Sequence, residues 1–198
     1  MLAMSTTLSA AAGHKPPTAP GQDKLLCFDG TTDGGFGGVC TLKANGAKGP
    51  ATLNNTDNNS NGDYAGVYYA NSTMSGQLLG TITQVGYTYS GTTVPGPGDL
   101  SLNVPVNLSG GTTTDGYLFI DAFYCPGVGG HVDAINNSAC GMYFQGVTFY
   151  ANWAAFVAAN PSAKVATDNV PFVIAERTPS EGPALWTVSN VTLGKPGK

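Results

Sequence analysis

Charge is what this chain most lacks. Only 10% of its 198 residues are Asp, Glu, Lys or Arg, against roughly 25% in an average globular protein. There is one arginine, Arg177, and the formal net charge is −4. Nucleic-acid binding needs Lys and Arg to displace counterions from phosphates, so that partner is excluded. Histidine is almost as scarce: His14 and His131 are the two. No stretch of about 18 consecutive apolar residues occurs, so no transmembrane helix is expected. The sequence also lacks a G-x-S-x-G elbow, a P-loop lysine after the glycines at 34–38, and any Cys-x-x-Cys pair.

The residues that are present point to turns and strands. Gly 28 and Pro 13 weaken helix interiors, while 41% hydrophobic content at low net charge is the opposite of a disordered composition. From Lys24 onward, short apolar and aromatic runs alternate with turn clusters. They predict strands at Lys24–Asp29, Val39–Lys43, Ala51–Asn55, Tyr64–Ala70, Thr81–Tyr89, Asp99–Leu108, Gly116–Tyr124, Cys140–Thr148, Lys164–Ala166, Phe172–Arg177 and Leu185–Leu193. Leu100, Leu102, Val104 and Val106 share one face. Strict alternation in the last strand sets Trp186 and Val188 opposite Val191 and Leu193. One segment has helical spacing instead: Trp153, Phe156 and Val157 fall at i, i+3 and i+4, and Pro161 stops the run. The expected fold is an all-β antiparallel sandwich of jelly-roll type with one short helix near residues 152–160.

The domain expected is 24–194, between an arm at 1–23 and a tail at 195–198. Within the arm, Ser9-Ala10-Ala11-Ala12 resembles the end of a signal peptide, with Ala10 and Ala12 at A-x-A spacing, but a cationic start and a long apolar segment are missing, so 1–23 reads as a leader remnant or as a flexible N-terminal arm. Cys27, Cys40, Cys125 and Cys140 form two local pairs. Proximity predicts Cys27–Cys40 and Cys125–Cys140, each closing a loop of about 15 residues worth about 3 kcal/mol in the chain-entropy model. That usage belongs to an oxidising compartment, so a secreted or cell-surface location is expected. Six N-x-S/T sequons (Asn54, Asn58, Asn71, Asn107, Asn136, Asn190) mark glycosylation in a host that modifies exported proteins.

Several stretches together resemble a known type of domain. Leu78-Leu79-Gly80-Thr81-Ile82-Thr83-Gln84-Val85-Gly86-Tyr87-Thr88-Tyr89 and Gly116-Tyr117-Leu118-Phe119-Ile120-Asp121 resemble long strands of jelly-roll domains in secreted microbial proteins. Pro161-Ser162-Ala163-Lys164-Val165 and Leu185-Trp186-Thr187-Val188-Ser189-Asn190-Val191-Thr192-Leu193 are similar to the helix exit and closing strand of galactose-binding-like carbohydrate modules. The resemblance implies a sugar-binding sandwich. It departs at Ser189, where such modules often carry an Asp, so the structural calcium of some relatives is not carried over.

Candidate chemistry is sparse. Tyr64, Tyr68 and Tyr69 are candidate ligand-binding aromatics: exposed rings stack on sugar C–H faces, and alternation puts one of Tyr68 and Tyr69 outward. Asp57, Asn59, Asn61 and Asp63 match D-x-[DN]-x-[DN]-G, the oxygen-rich start of a calcium loop, although Tyr68 stands where an EF-hand needs its bidentate acid. An Asn-rich hairpin loop is the competing reading. Two carboxylates across a cleft would make a glycoside hydrolase, and Asp121, Asp133, Asp168, Glu176 and Glu181 are the candidates. For Asp121 the alternative is a carboxylate bonded to backbone at a sheet rim, and for Glu176–Arg177 a solvated strand end. His131, two residues from Asp133, reads as a solvent-facing loop residue. The leading expectation is a non-catalytic extracellular sandwich that contacts a glycan or another copy of itself. A polysaccharide-active hydrolase using an acidic pair is the alternative. If the 57–63 loop binds calcium, the melting temperature rises with calcium and Asp57→Ala abolishes that rise; a melt indifferent to calcium and chelator removes the site.

Overall fold

The computed structural model describes residues 24–31, 36–43, 50–55, 62–70, 74–177 and 181–194. The leader-like arm, the tail, and Asp57, Asn59 and Asn61 lie outside the described residues. In chain order the strands are β1 (Lys24–Asp29), β2 (Val39–Leu42), β3 (Ala51–Asn55), β4 (Asp63–Ala70), β5 (Gln84–Gly91), β6 (Leu100–Asn107) and β7 (Gly116–Asp121). Then come β8 (His131–Asp133), β9 (Met142–Phe144), β10 (Thr148–Tyr150), helix α1 (Trp153–Ala159), β11 (Lys164–Val165), β12 (Phe172–Arg177) and β13 (Ala184–Gly194). They make two antiparallel sheets. The larger runs β1-β4-β12-β6-β7-β9-β10, with β11 also on β6; the smaller runs β2-β3-β13-β5-β8. This is the expected all-β sandwich. No helix among the described residues is long and apolar enough to cross a membrane.

Period-two alternation builds the layer between the sheets. Leu100, Leu102, Val104 and Val106 are fully buried, and so are Leu118, Ile120, Val67, Val173, Leu53, Trp186 and Val188. Tyr87 brings its polar end into that layer and donates from its hydroxyl to the Leu100 carbonyl at 3.0 Å, so the burial strands no donor. Trp186 does the same through Nε1 to the Thr93 carbonyl at 3.2 Å.

Pro105 lies in a central strand, where a missing N–H normally breaks the ladder. Here β12 pairs with β6 only as far as Asn103, and β11 takes over at Val106. Pro105 occupies the break between them, and its carbonyl accepts from Ala166 N–H at 2.9 Å. The proline costs the sheet little because no strand faces it there.

The two disulfides are those expected, Cys27–Cys40 and Cys125–Cys140. The first joins β1, an edge of the larger sheet, to β2, an edge of the smaller. The second ties the exit of β7 to the entry of β9 and so brackets β8, which belongs to the smaller sheet.

Three expectations need correction. The run from Cys140 to Thr148 is not one strand but the hairpin β9–β10, turning at Gln145 and Gly146, both with positive φ (55° and 66°). The 131–133 segment is the edge strand β8, paired to β5, and not a loop. Strict alternation also fails in β13. A bulge shifts the register between Ser189 and Thr192, with Asn190 at φ 50°, so Val191 and Leu193 turn inward on the same side as Trp186 and Val188. An extra residue in one strand does this by flipping every later side chain to the other face.

Helix α1 fills the width the smaller sheet lacks. Asn152 caps it by accepting Ala155 N–H at 2.9 Å. Phe156 packs on Phe144 and Tyr150, ring centroids 6.2 and 4.9 Å apart, covering the inner side of the β9–β10 hairpin.

The bulge sets the first structural prediction. Asn190→Val places a β-branched residue in a left-handed conformation and lowers unfolding free energy by about 1–2 kcal/mol, while Asn190→Gly leaves it nearly unchanged. Urea denaturation of both variants measures this, and equal stability of the two would refute the bulge geometry.

Candidate functional site

The outer face of the larger sheet is the side turned away from the second sheet, and it carries two groups of aromatic rings. Around β1, β4 and β12, Phe28, Tyr64, Tyr68, Phe172 and Ile174 form a satellite cluster. Phe28 lies 4.4 Å from Tyr68 and 5.8 Å from Phe172 between ring centroids. Gly66 makes room for it: a Cβ there would sit 2.3 Å from Cζ of Phe28. Alternation therefore sorted these tyrosines as expected, Tyr64 and Tyr68 outward and Tyr69 into the main core. Their rings are nevertheless covered, at 5%, 6% and 6% exposure. Asp63, the described member of the calcium motif, opens β4 as a buried residue, and no group of three His, Cys, Asp or Glu among the described residues is placed to hold a metal.

The accessible rings are elsewhere. Phe123 and Tyr124, just after β7, continue a row through Tyr143 on β9 to Phe149 on β10. Successive centroids are 5.0, 5.2 and 5.0 Å apart. Phe123 and Phe149 are 50% and 52% exposed, with half-buried Tyr124 and Tyr143 between them. Tyr143 and Phe149 are register partners in the hairpin, so the misread turn is why the row could not be seen in the sequence. A Gln-Gly turn signal inside 140–148 was the one clue available.

Asp121 positions this row. Its Oδ1 accepts from Phe123 N–H at 2.7 Å, and its Oδ2 from Gly98 N–H at 2.6 Å. Its pKa is raised to about 6, by burial first and in smaller part by Asp99, against the downward pull of the two N–H groups. Both oxygens serve the backbone, which is the rim role weighed for this residue. Tyr124 adds the Gly141 N–H bond to its carbonyl at 2.7 Å, beside the second disulfide.

The acids at the far end of β12 are not a solvated strand end. Arg177 turns inward, with Nη2 3.0 Å from Asp99 Oδ2 and its guanidinium 5.2 Å from the Trp186 ring. Glu176 has its pKa raised to about 7, by burial first and then by Glu181. Glu176 and Asp121 both lie on the larger sheet, but on strands separated by β6. Asp133 bonds Ile135 and Asn136 N–H, both at 3.0 Å, and does not orient His131, which stays exposed with Nδ1 3.2 Å from Thr88 Oγ1. Asp168 is occupied by the Thr114 N–H and hydroxyl.

No family model matches this chain, and no curated protein or solved structure is significantly similar to it. Its class rests on its own architecture: a disulfide-closed, two-sheet antiparallel β-sandwich with an exposed row of aromatic rings.

The raised acids predict a pH dependence. The folded chain binds protons to Glu176 and Asp121 more tightly than the unfolded chain, so the stability these two groups contribute is fully present below the ordinary carboxylate range. It declines as pH rises from the ordinary carboxylate range through about 6 and about 7. Melting temperature should therefore fall from about pH 5 to about pH 8, and Glu176→Gln should remove much of that slope. A wild-type profile rising over this range would contradict the burial of these carboxyls.

Proposed function

We propose that this is an exported, non-catalytic β-sandwich that contacts carbohydrate through the Phe123–Tyr124–Tyr143–Phe149 row. The observation that carries the reading is the exposure of Phe123 and Phe149, each ring braced by a half-buried tyrosine. Rings held this way offer apolar faces at little entropic cost, while Tyr hydroxyls at the same surface bond sugar hydroxyls. Two disulfides support an oxidising, extracellular location. The similarity of several strands to jelly-roll carbohydrate modules supports the same ligand class. The scarcity of charge suits a neutral polysaccharide.

The second reading, a polysaccharide hydrolase, has one observation in its favour: Asp121 and Glu176 both titrate near neutrality, as catalytic acids do. Asp121 stands against it, because both of its oxygens hold backbone N–H groups.

A panel of soluble and insoluble polysaccharides, scored for retention and for cleavage, separates the readings. The wild type should be retained on at least one neutral glycan without turnover. Phe123→Ala combined with Phe149→Ala should weaken retention about tenfold or more, given about 0.5–1.5 kcal/mol for each ring contact beyond its buried area. Retention unchanged in that double variant would sink the proposal. Turnover lost in Glu176→Gln, with folding intact, would establish the hydrolase instead.

A further inference from the structure

Each sheet of a sandwich ends in two strands with an unpaired side, and such edges invite pairing with another chain unless charge, proline or a covering element blocks them. The four edges here are β1, β10, β2 and β8. β1 carries Lys24 and Asp29, and β8 carries His131 and Asp133. β2 runs directly into Lys43 and is tied to β1 by the first disulfide. β10 is as short as β8, which blunts an edge in part, but it carries no charge and no proline. From Ala134 to Ala163, a stretch that includes β9, β10 and α1, there is no Asp, Glu, Lys, Arg or His. Val147 and Phe149 are exposed at 77% and 52%, and Thr148 between them is exposed too.

We propose that β10 is a self-association edge, at which a second copy of this chain pairs antiparallel and the two larger sheets become one. The segment fits itself. A two-fold axis at Phe149 sets Thr148 opposite the partner's Tyr150, and like faces like with no charge to repel. Neutrality is the complementarity that selects a copy of this chain over a charged partner. Pairing along the edge consumes backbone N–H and C=O groups and leaves the outer face open. The two Phe149 side chains then stand beside each other on that face, about 4.5–5.5 Å apart at Cβ, and two four-ring rows become one longer row. The inference goes beyond the carbohydrate reading and does not depend on it.

Sedimentation of the full chain over a wide concentration range tests the proposal, together with amide exchange at Thr148–Tyr150. The expected result is a monomer–dimer equilibrium, with exchange at these amides slowing as the dimer forms. Thr148→Lys places two lysines at diagonal positions across the axis, about 7–8 Å apart, and should weaken dimerisation about fivefold to tenfold. Its melting temperature and its retention on glycans at low protein concentration should match the wild type. A wild type that stays monomeric throughout would overturn the inference. So would a dimer of undiminished affinity in Thr148→Lys, or one whose formation leaves exchange at Thr148–Tyr150 unchanged. None of these outcomes alters the reading of the ring row, which the Phe123→Ala and Phe149→Ala pair tests on its own.

Discussion

The arrangement depends on two sheets of unequal width being held face to face. Between them lies an apolar layer of Leu, Val, Ile, Tyr87 and Trp186, and burial of that layer is the main drive for folding. Burial alone sets no lateral alignment. Cys27–Cys40 supplies it on one flank by joining the β1 and β2 edges, and on the other Cys125–Cys140 closes the excursion from β7 to β9 that carries β8 to the smaller sheet. With both flanks fixed, the mismatch in width falls on β9 and β10. Helix α1 covers their inner side, and their outer side presents Tyr143 and Phe149.

Scarcity of charge shapes the electrostatics as much as the surface. Arg177 is enclosed, paired with Asp99 and stacked on Trp186. With that cation engaged, Glu176 has only burial and Glu181 acting on it, and both raise its pKa. In a chain richer in lysine a nearby cation would offset that shift. The same poverty leaves Asp121 bonded to peptide N–H groups and not to a side-chain cation.

Much of the fold was legible because short apolar runs bounded by turn residues are a strong signal, and the runs at Lys24–Asp29, Ala51–Asn55 and Phe172–Arg177 have the same limits in the structure. The pairing of the four cysteines followed from local spacing. Legibility ended where one residue changed the geometry. Asn190 looks like an ordinary member of an alternating strand until its φ of 50° is known. The three-residue loop Gln145-Gly146-Val147 lacks the Asn-Gly or Asp-Gly pair that most plainly announces a hairpin, so Tyr143 and Phe149 stayed apart in the sequence reading. β8 was hidden because His131 and Asp133 flank a single apolar residue, Val132, too short a pattern to register. The candidate site was thus the least legible part: it is assembled from a turn, a hairpin and a disulfide, none of which has a period.

The bracket around β8 has a topological consequence. Because Cys125 and Cys140 are joined, the excursion to the smaller sheet is a closed ring, separate from the one that Cys27–Cys40 closes. A peptide bond cut anywhere between Pro126 and Ala139 opens the ring but leaves both halves in one covalent molecule. The β7 and β9 strands that carry the aromatic row stay tethered at the same point. Insertion or nicking inside that ring, away from the buried Val132 and Ala134, therefore leaves the two flanks of the row together.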